Sequence, residues 1–449
     1  MTEKRKVLYG VHTTAALENF PLSGRSFNKL LGRAYGKVKL ACAQTNYELK
    51  YIPPDKYTAI EKACQDLISG NLDEHLVVDA LQGGAGTATN FNINEVLANR
   101  ALQLLKKDIF EYQYIDPQAD INLHQSTNDT YPTALKVAAL DGLALLEKEL
   151  IILLESFQQK EKLYAHIVKT GRTQLRDAVL TTMGRTMSAY AEAISRDRWR
   201  IYKSMERIRI INLGGTAIGT GLGAPKKYIF MVTERLKAIT GLPLSRAENM
   251  IDCTQNCDVF AEVSGLLKTC SVNLYKICQD FRLMASGPDA GLNELVLKRR
   301  QMGSTIMAGK INPVIPEAVI QCAMQIDGND YIITRACADG NLELNAFMPV
   351  IADKLLDSIM LLSQAVKVMS RFVSEDISIN EKACELHVHN STAAANSFVK
   401  ELGYSAVQNI LIQVESGKIS LRDAILSAGV SADRYNELIS AEAVTRLGD

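Results

Sequence analysis

Proline is absent from three long tracts of this chain: between Pro132 and Pro225, between Pro243 and Pro288, and beyond Pro349. A proline inside a helix removes one backbone hydrogen bond and sets its ring against the carbonyl four residues back. Tracts without one can run as helices longer than the usual roughly 8–20 residues. The apolar spacing agrees. Leu143, Leu146, Leu150, Leu153, Leu154 and Phe157 recur at steps of three and four. So do Val259, Val263, Leu266, Leu267, Cys270 and Leu274, and again Ile359, Leu362, Ala365, Val366 and Met369. Such spacing lays apolar side chains along one helical face. Alternating runs are scarce and aromatic residues make up only 6% of the chain, which argues against an extensive sheet. The expected fold class is all-α, a bundle of long helices. Three parts are expected: an N-terminal domain over 1–126, a central helical bundle over 127–375 and a C-terminal domain over 376–449.

Charge narrows the function. Lysine plus arginine number 50, and aspartate plus glutamate also number 50. A neutral chain has no overall field for nucleic acid or an anionic membrane, so neither is an expected partner. No uncharged apolar run reaches the about 18 residues that a membrane-crossing helix needs. The start, Met1 to Lys6 and then Val7-Leu8-Tyr9-Gly10, has too short an apolar stretch for a secretory signal. The nine cysteines are scattered, without the spacing of a zinc site. No metal is expected, and reduced thiols in a cytoplasmic protein are.

Four short segments look unlike helix or core. Each is rich in small polar donors and reads as the opening of a helix. The first is Gln82-Gly83-Gly84-Ala85-Gly86-Thr87-Ala88-Thr89-Asn90, whose glycines allow close approach of the backbone to a ligand. The second is His124-Gln125-Ser126-Thr127-Asn128-Asp129-Thr130, more capping residues than one helix start requires. The positive end of a helix dipole there favours a carboxylate. His124 reads more simply as a structural histidine than as a base. The third is Gly171-Arg172-Thr173-Gln174-Leu175-Arg176-Asp177, in which Arg172 and Asp177 are expected to form an ion pair. The fourth runs from Gln301 to Pro313. Its Gly303 and Gly309 flank a Ser304-Thr305 pair, which suggests a mobile loop closing over a site. Lys310 and Asn312 alternate along it, and Asn312-Pro313 has the residue types of a helix cap and first turn.

Together, in this order, the four segments resemble those of the aspartase/fumarase superfamily of lyases. The resemblance extends from Tyr9-Gly10-Val11-His12-Thr13 into the C-terminal part. Its most specific piece, Gly303 to Pro313, is similar to the family's GSSxMPxKxNP loop. The resemblance implies an all-α homotetramer with a central twenty-helix bundle and active sites shared between subunits. It implies cleavage of a C–N or C–O bond of a succinyl compound with release of fumarate. Ser304 would be the catalytic base. Lys310 and Asn312 would hold the carboxylate beside the reacting carbon. Thr87, Ser126, Thr127, Asn128, Thr173 and Gln174 would bind the rest of a small dicarboxylate or amino-acid substrate. No cofactor is implied.

Removing a proton beside a carboxylate creates a dianionic aci-carboxylate, so the main catalytic demand is electrostatic. A lysine, amide donors and a helix start suit that demand. Gln174 stands where fumarases carry histidine, and the GRTQ form resembles the aspartate ammonia-lyase branch. The chain departs from the family pattern at Ala15, His124, Ala308 and Gly223. Deamination of L-aspartate is the leading expectation. Fumarate hydration, a lyase for another amino-succinate, and a catalytically silent structural homologue are the alternatives.

Overall fold

The expected long helices form. The computed structural model describes residues 7–417 and 419–446, so the Met1–Lys6 start lies outside the described residues. Helices α1 (Val11–Asn19), α2 (Lys29–Glu48), α3 (Pro54–Ile68) and α4 (Thr87–Leu104) precede α5 (Thr127–Leu163). Strands β1 (Val168–Thr173) and β2 (Arg176–Thr182) lead into α6 (Met183–Ile208). Next come β3 (Ile210–Ile211), α7 (Lys226–Thr240), β4 (Ser245–Arg246), α8 (Met250–Gln255) and α9 (Asp258–Met284). They are followed by β5 (Leu295–Leu297), α10 (Val314–Ala338), α11 (Met348–Arg371), β6 (Ile377–Ile379) and α12 (Glu381–Asn390). Short helices α13 (Val399–Leu402), α14 (Tyr404–Glu415), α15 (Leu421–Ser427), α16 (Ala432–Leu438) and α17 (Ala441–Thr445) complete the fold. Among the described residues the strands pair only as three two-stranded sheets, so the fold is all-α in class.

The periodic faces are buried. Leu143, Leu146, Leu150, Leu153 and Phe157 of α5 are wholly enclosed, as are Val263, Leu267 and Cys270 of α9. Each large apolar side chain so enclosed contributes about 1.5–3 kcal/mol, which outweighs the weak propensities of single positions. Helix α5 starts at Thr127 and carries Pro132 inside it, rather than beginning after that proline. The ring leaves the carbonyl of Asn128 without its helical partner. Asn212 supplies the replacement, its Nδ2 donating to Asn128 O at 3.0 Å.

Two units divide the chain. Of the described residues, the first gathers those up to 147, 199–271 and 324–363, and the second gathers 148–198, 272–323 and those from 364 onward. The boundaries fall inside α5, α6, α9, α10 and α11. In the first unit α2 lies against α3 and α7, and α4 against α3 and α1. Glu95 of α4 fastens the start of α1: its Oε2 accepts from Gly10 N at 2.8 Å and Thr13 Oγ1 at 2.6 Å, and its Oε1 from His12 N at 2.9 Å. In the second unit Phe157, Tyr190, Phe281 and Phe372 form an aromatic cluster. Phe398 stacks on Tyr435 in a smaller core under α12 to α16.

Gly86 caps the start of α4 at φ 94°, and a Cβ there would lie 2.1 Å from the ring of buried Tyr131 on α5. Gly86→Ala is therefore expected to combine left-handed backbone strain with overpacking, a loss of roughly 2–4 kcal/mol. The midpoint of urea unfolding, followed by circular dichroism, should fall clearly below wild type.

Candidate active site

In the first unit two helix starts meet. Helix α5 opens with a reciprocal cap: Ser126 Oγ accepts from Asn128 N at 3.2 Å, and Asp129 Oδ1 accepts from Ser126 N at 3.0 Å. Helix α4 opens at Thr87, whose Oγ1 donates to Gly84 O at 2.7 Å. One side chain ties the two starts together. Asn90 Nδ2 donates to Thr127 Oγ1 and to Asn122 Oδ1, both at 3.1 Å. Asn128 Nδ2 reaches Ala217 O at 2.8 Å in the loop before α7. Thr87, Ser126, Thr127 and Asn128 are thus gathered around two positive helix ends, an arrangement that favours an anionic group.

Asp129 holds this arrangement from below. It is wholly buried, and its Oδ2 accepts from Gly214 N at 3.1 Å and Thr216 N at 3.0 Å, which docks the Gly-rich 214–223 loop onto α5. Burial pushes its carboxyl up to about 7, against the pull of the three backbone donors and of Lys39. His124 has φ 62° and its Nδ1 lies 2.7 Å from Asn46 Oδ1. Its ring packs edge-on against Tyr51 and Tyr228, and burial lowers its pKa. These contacts give His124 the structural role read from the sequence.

In the second unit the Gly171–Asp177 segment opens no helix. It is the tip of the β1–β2 hairpin, in which Thr173 pairs with Arg176. Gln174 and Leu175 form the two-residue turn with φ of 53° and 62°. Turns of this hand match the strand twist but ordinarily recruit asparagine or glycine. Neither is present, so periodicity and turn signals both miss the hairpin. Holding two side-chain-bearing residues left-handed costs roughly 1–2 kcal/mol each, strain of the kind that collects at functional tips. Arg172 lies 3.6 Å from Asp177, the expected pair, but its shorter bond is to Glu294 at 2.7 Å. Glu294 is fully enclosed and also faces Lys169 at 3.2 Å. This buried triad anchors the hairpin base, and nothing in the local sequence around Glu294 marks it. Beside the hairpin opens a cavity of about 530 Å³ lined in part by Lys169, Arg172, Gln174, Arg185 and Tyr190.

The serine loop also belongs to the second unit. It emerges from the β5–β6 ladder, where Arg300 pairs with Asp376 and Lys298 N donates to Asp376 O at 2.9 Å. Its ends nearly touch: a Cβ on Gly303 would lie 2.0 Å from Lys310 O. Asn312 Nδ2 closes the loop by donating to Gly303 O at 2.6 Å. Helix α10 starts at Val314, so Asn312 fastens the loop rather than capping the helix. Ser304 Oγ accepts from Ile306 N at 3.2 Å and Met307 N at 2.9 Å. Lys310 is exposed, and Ile306 is 89% exposed at the loop crest.

The structure therefore brings Thr87, Ser126, Thr127 and Asn128 together in one unit. In the other, Ser304, Lys310 and Asn312 share one loop while Thr173 and Gln174 stand on a separate hairpin. No member of the 301–313 loop lines the cavity that Gln174 faces. Among the described residues, no group of three or more His, Cys, Asp or Glu side chains is placed to hold a metal. Nor, among them, is any helix long and apolar enough to cross a membrane. None of the nine cysteines is in a disulfide.

Long helices, polar helix starts and a glycine-flanked serine loop define a class of fold shared with solved lyases. A fumarate lyase:delta crystallin structure from Brucella melitensis, bound to cobalt, superposes with a TM-score of 0.92 over 97% of this chain and 95% of that one, at 39% identity. The class II fumarase of Schistosoma mansoni gives 0.91 at 28% identity, over 98% and 96% of the two chains. A family model described as "Lyase" matches residues 1–328, and the chain belongs to this aspartase/fumarase family of lyases. Curated relatives include the aspartate ammonia-lyase of a Bacillus species, 39% identical over 98% of this chain and 94% of the relative. Those of Pseudomonas canavaninivorans (43%, covering 91% and 87%) and Escherichia coli (39%, covering 94% and 89%) match likewise.

Proposed function

We propose that this chain is an aspartate ammonia-lyase, converting L-aspartate to fumarate and ammonia by anti elimination. Ser304 Oγ takes the C3 proton, Lys310 and Asn312 hold the adjacent carboxylate as it becomes an aci-carboxylate, and the C–N bond then breaks. Thr87, Ser126, Thr127, Asn128, Thr173 and Gln174 bind the remaining carboxylate and the ammonium. The observation that carries this reading is the pair of backbone N–H groups aimed at Ser304 Oγ. Donors to the charged form of a group favour that form, and a serine base needs its alkoxide favoured. Closure of the exposed loop removes water and strengthens both effects. The relatives that carry the name aspartate ammonia-lyase support the choice of substrate.

Gln174 separates this reaction from hydration. An amide binds an ammonium or a carboxylate, but it delivers no proton to a departing hydroxide. The purified enzyme is expected to release ammonia and fumarate from aspartate and scarcely to hydrate fumarate. Ultraviolet absorbance of fumarate, followed with aspartate, malate and argininosuccinate supplied separately, checks this. Efficient malate formation from fumarate without ammonia would replace the reading with a fumarate hydratase.

The working form is a homotetramer whose sites draw on more than one subunit. Supporting this, within the first unit α10 leaves Met324 and Tyr331 exposed, large apolar side chains that association would cover. Nine thiols outside any disulfide suit a reducing compartment, and we read the enzyme as cytoplasmic.

A further inference from the structure

Lys39 lies in the middle of α2 with 1% of its surface exposed. Its Nζ donates to Asn122 Oδ1 and to Gln125 Oε1, both at 2.9 Å. Both acceptors are neutral amides. Burial pulls the ammonium down to about 8. Its hydrogen-bond partners are neutral and, although the buried Asp129 carboxyl attracts it, enclosing the cation is costly; an apolar side chain of similar size would pack there without that cost. The charge is therefore better explained by what it holds than by stability.

What it holds leads to the site. Asn122 Oδ1 also accepts from Asn90 Nδ2 at 3.1 Å and from Asn94 Nδ2 at 3.3 Å, which brings in the first turns of α4. Asn122 Nδ2 donates to Gln125 O at 3.2 Å, and Gln125 Nε2 returns to Ile121 O at 2.9 Å. Asn122 and Gln125, the first and last of the four residues before Ser126, are thus both tied to one ammonium. From the same centre Asn90 continues to Thr127 Oγ1 at 3.1 Å. A charged donor strengthens each bond it makes and polarises those beyond it.

We propose that Lys39 is a positioning residue: its ammonium, through Asn122, Gln125 and Asn90, sets the start of α5 against the start of α4. Thr87, Ser126, Thr127 and Asn128 then present their donors to substrate in one geometry. The proposal rests on the reading of those four residues as substrate-binding. Misplacing binding groups by a fraction of an ångström weakens binding while leaving the serine loop intact.

The test compares wild type, Lys39→Met and Lys37→Met as purified full-length enzymes. Lys37, on the same helix, pairs with Asp141 and serves as the control. Lys39→Met is expected to raise KM on the order of tenfold, with kcat falling much less. Amide exchange over residues 121–131 should speed up while exchange elsewhere is unchanged. Lys37→Met should change neither. Kinetics are read on whichever of aspartate, malate or argininosuccinate the wild type converts to fumarate. Failure with aspartate alone thus counts against the proposed substrate, not against Lys39. The exchange measurement needs no turnover at all. Unchanged KM together with unchanged exchange over 121–131 overturns the proposal, as does a uniform rise in exchange with unaltered KM, which marks Lys39 as merely structural. If Lys39→Met fails to fold, Asn122→Ala at its half-buried position carries the same expectations.

Discussion

Ser304→Ala is expected to lower kcat on the order of a thousandfold or more while leaving KM within a few-fold of wild type. Loss of a proton-transfer group removes an interaction made only in the transition state, so kcat and kcat/KM fall together. A thousandfold loss corresponds to about 4 kcal/mol of barrier. The geometry makes the substitution informative, because Ser304 Oγ accepts the amides of Ile306 and Met307. Alanine leaves both donors aimed at the vacated position, while Asn312 still fastens the loop to Gly303 O. Binding should therefore survive where chemistry does not. Stopped-flow or steady-state fumarate release, with substrate affinity measured by calorimetry, separates the two. Near-normal turnover in a pure preparation would reject Ser304 as the base and turn attention to exposed Thr305. His124 is already engaged with Asn46 and two tyrosine rings.

Mixing two inactive variants is expected to restore activity. The cavity beside Gln174 is lined by residues from β1, the Gln174-Leu175 turn, β2, α6 and α9 and by Leu292, none of them from the serine loop. If Gln174 and Ser304 meet only across subunits, Ser304→Ala and Gln174→Ala can complement each other. Unfolded together in equal amounts and refolded, they should give about one site in four with both native residues under closed symmetric packing. Activity should then recover to roughly a quarter of wild type from parents that are each nearly inactive. If both residues of a site come from one chain, every site keeps a lesion and mixing restores nothing. That result, with tetramers confirmed by light scattering and each variant refoldable alone, would reject a shared site for this pair.

Much of this molecule is legible along the chain because helices are local. The apolar steps through Leu143, Leu146, Leu150, Leu153 and Phe157 state which face of α5 is buried, and the structure encloses all five. The polar segments around Thr87, Ser126 and Ser304 are legible for a related reason. Glycines and capping residues act on backbone within a few positions, so their clustering is visible without any fold. Tertiary structure decided the rest. Pro132 reads as a boundary, yet α5 passes through it because Asn212, far along the chain, takes over the carbonyl of Asn128. The Gln174-Leu175 turn lacks the residues its backbone prefers. Arg172, Lys169 and buried Glu294 over-determine the hairpin instead, and Glu294 lies far away in sequence. Lys39 is one lysine among many in the sequence. Only the fold encloses it beneath Asn122 and Gln125, where loss of water turns an ordinary ammonium into the centre of a network. Periodicity and caps report what neighbours in sequence do to each other. Desolvation and long-range hydrogen bonds depend on which distant segments are brought together, and no local pattern carries that.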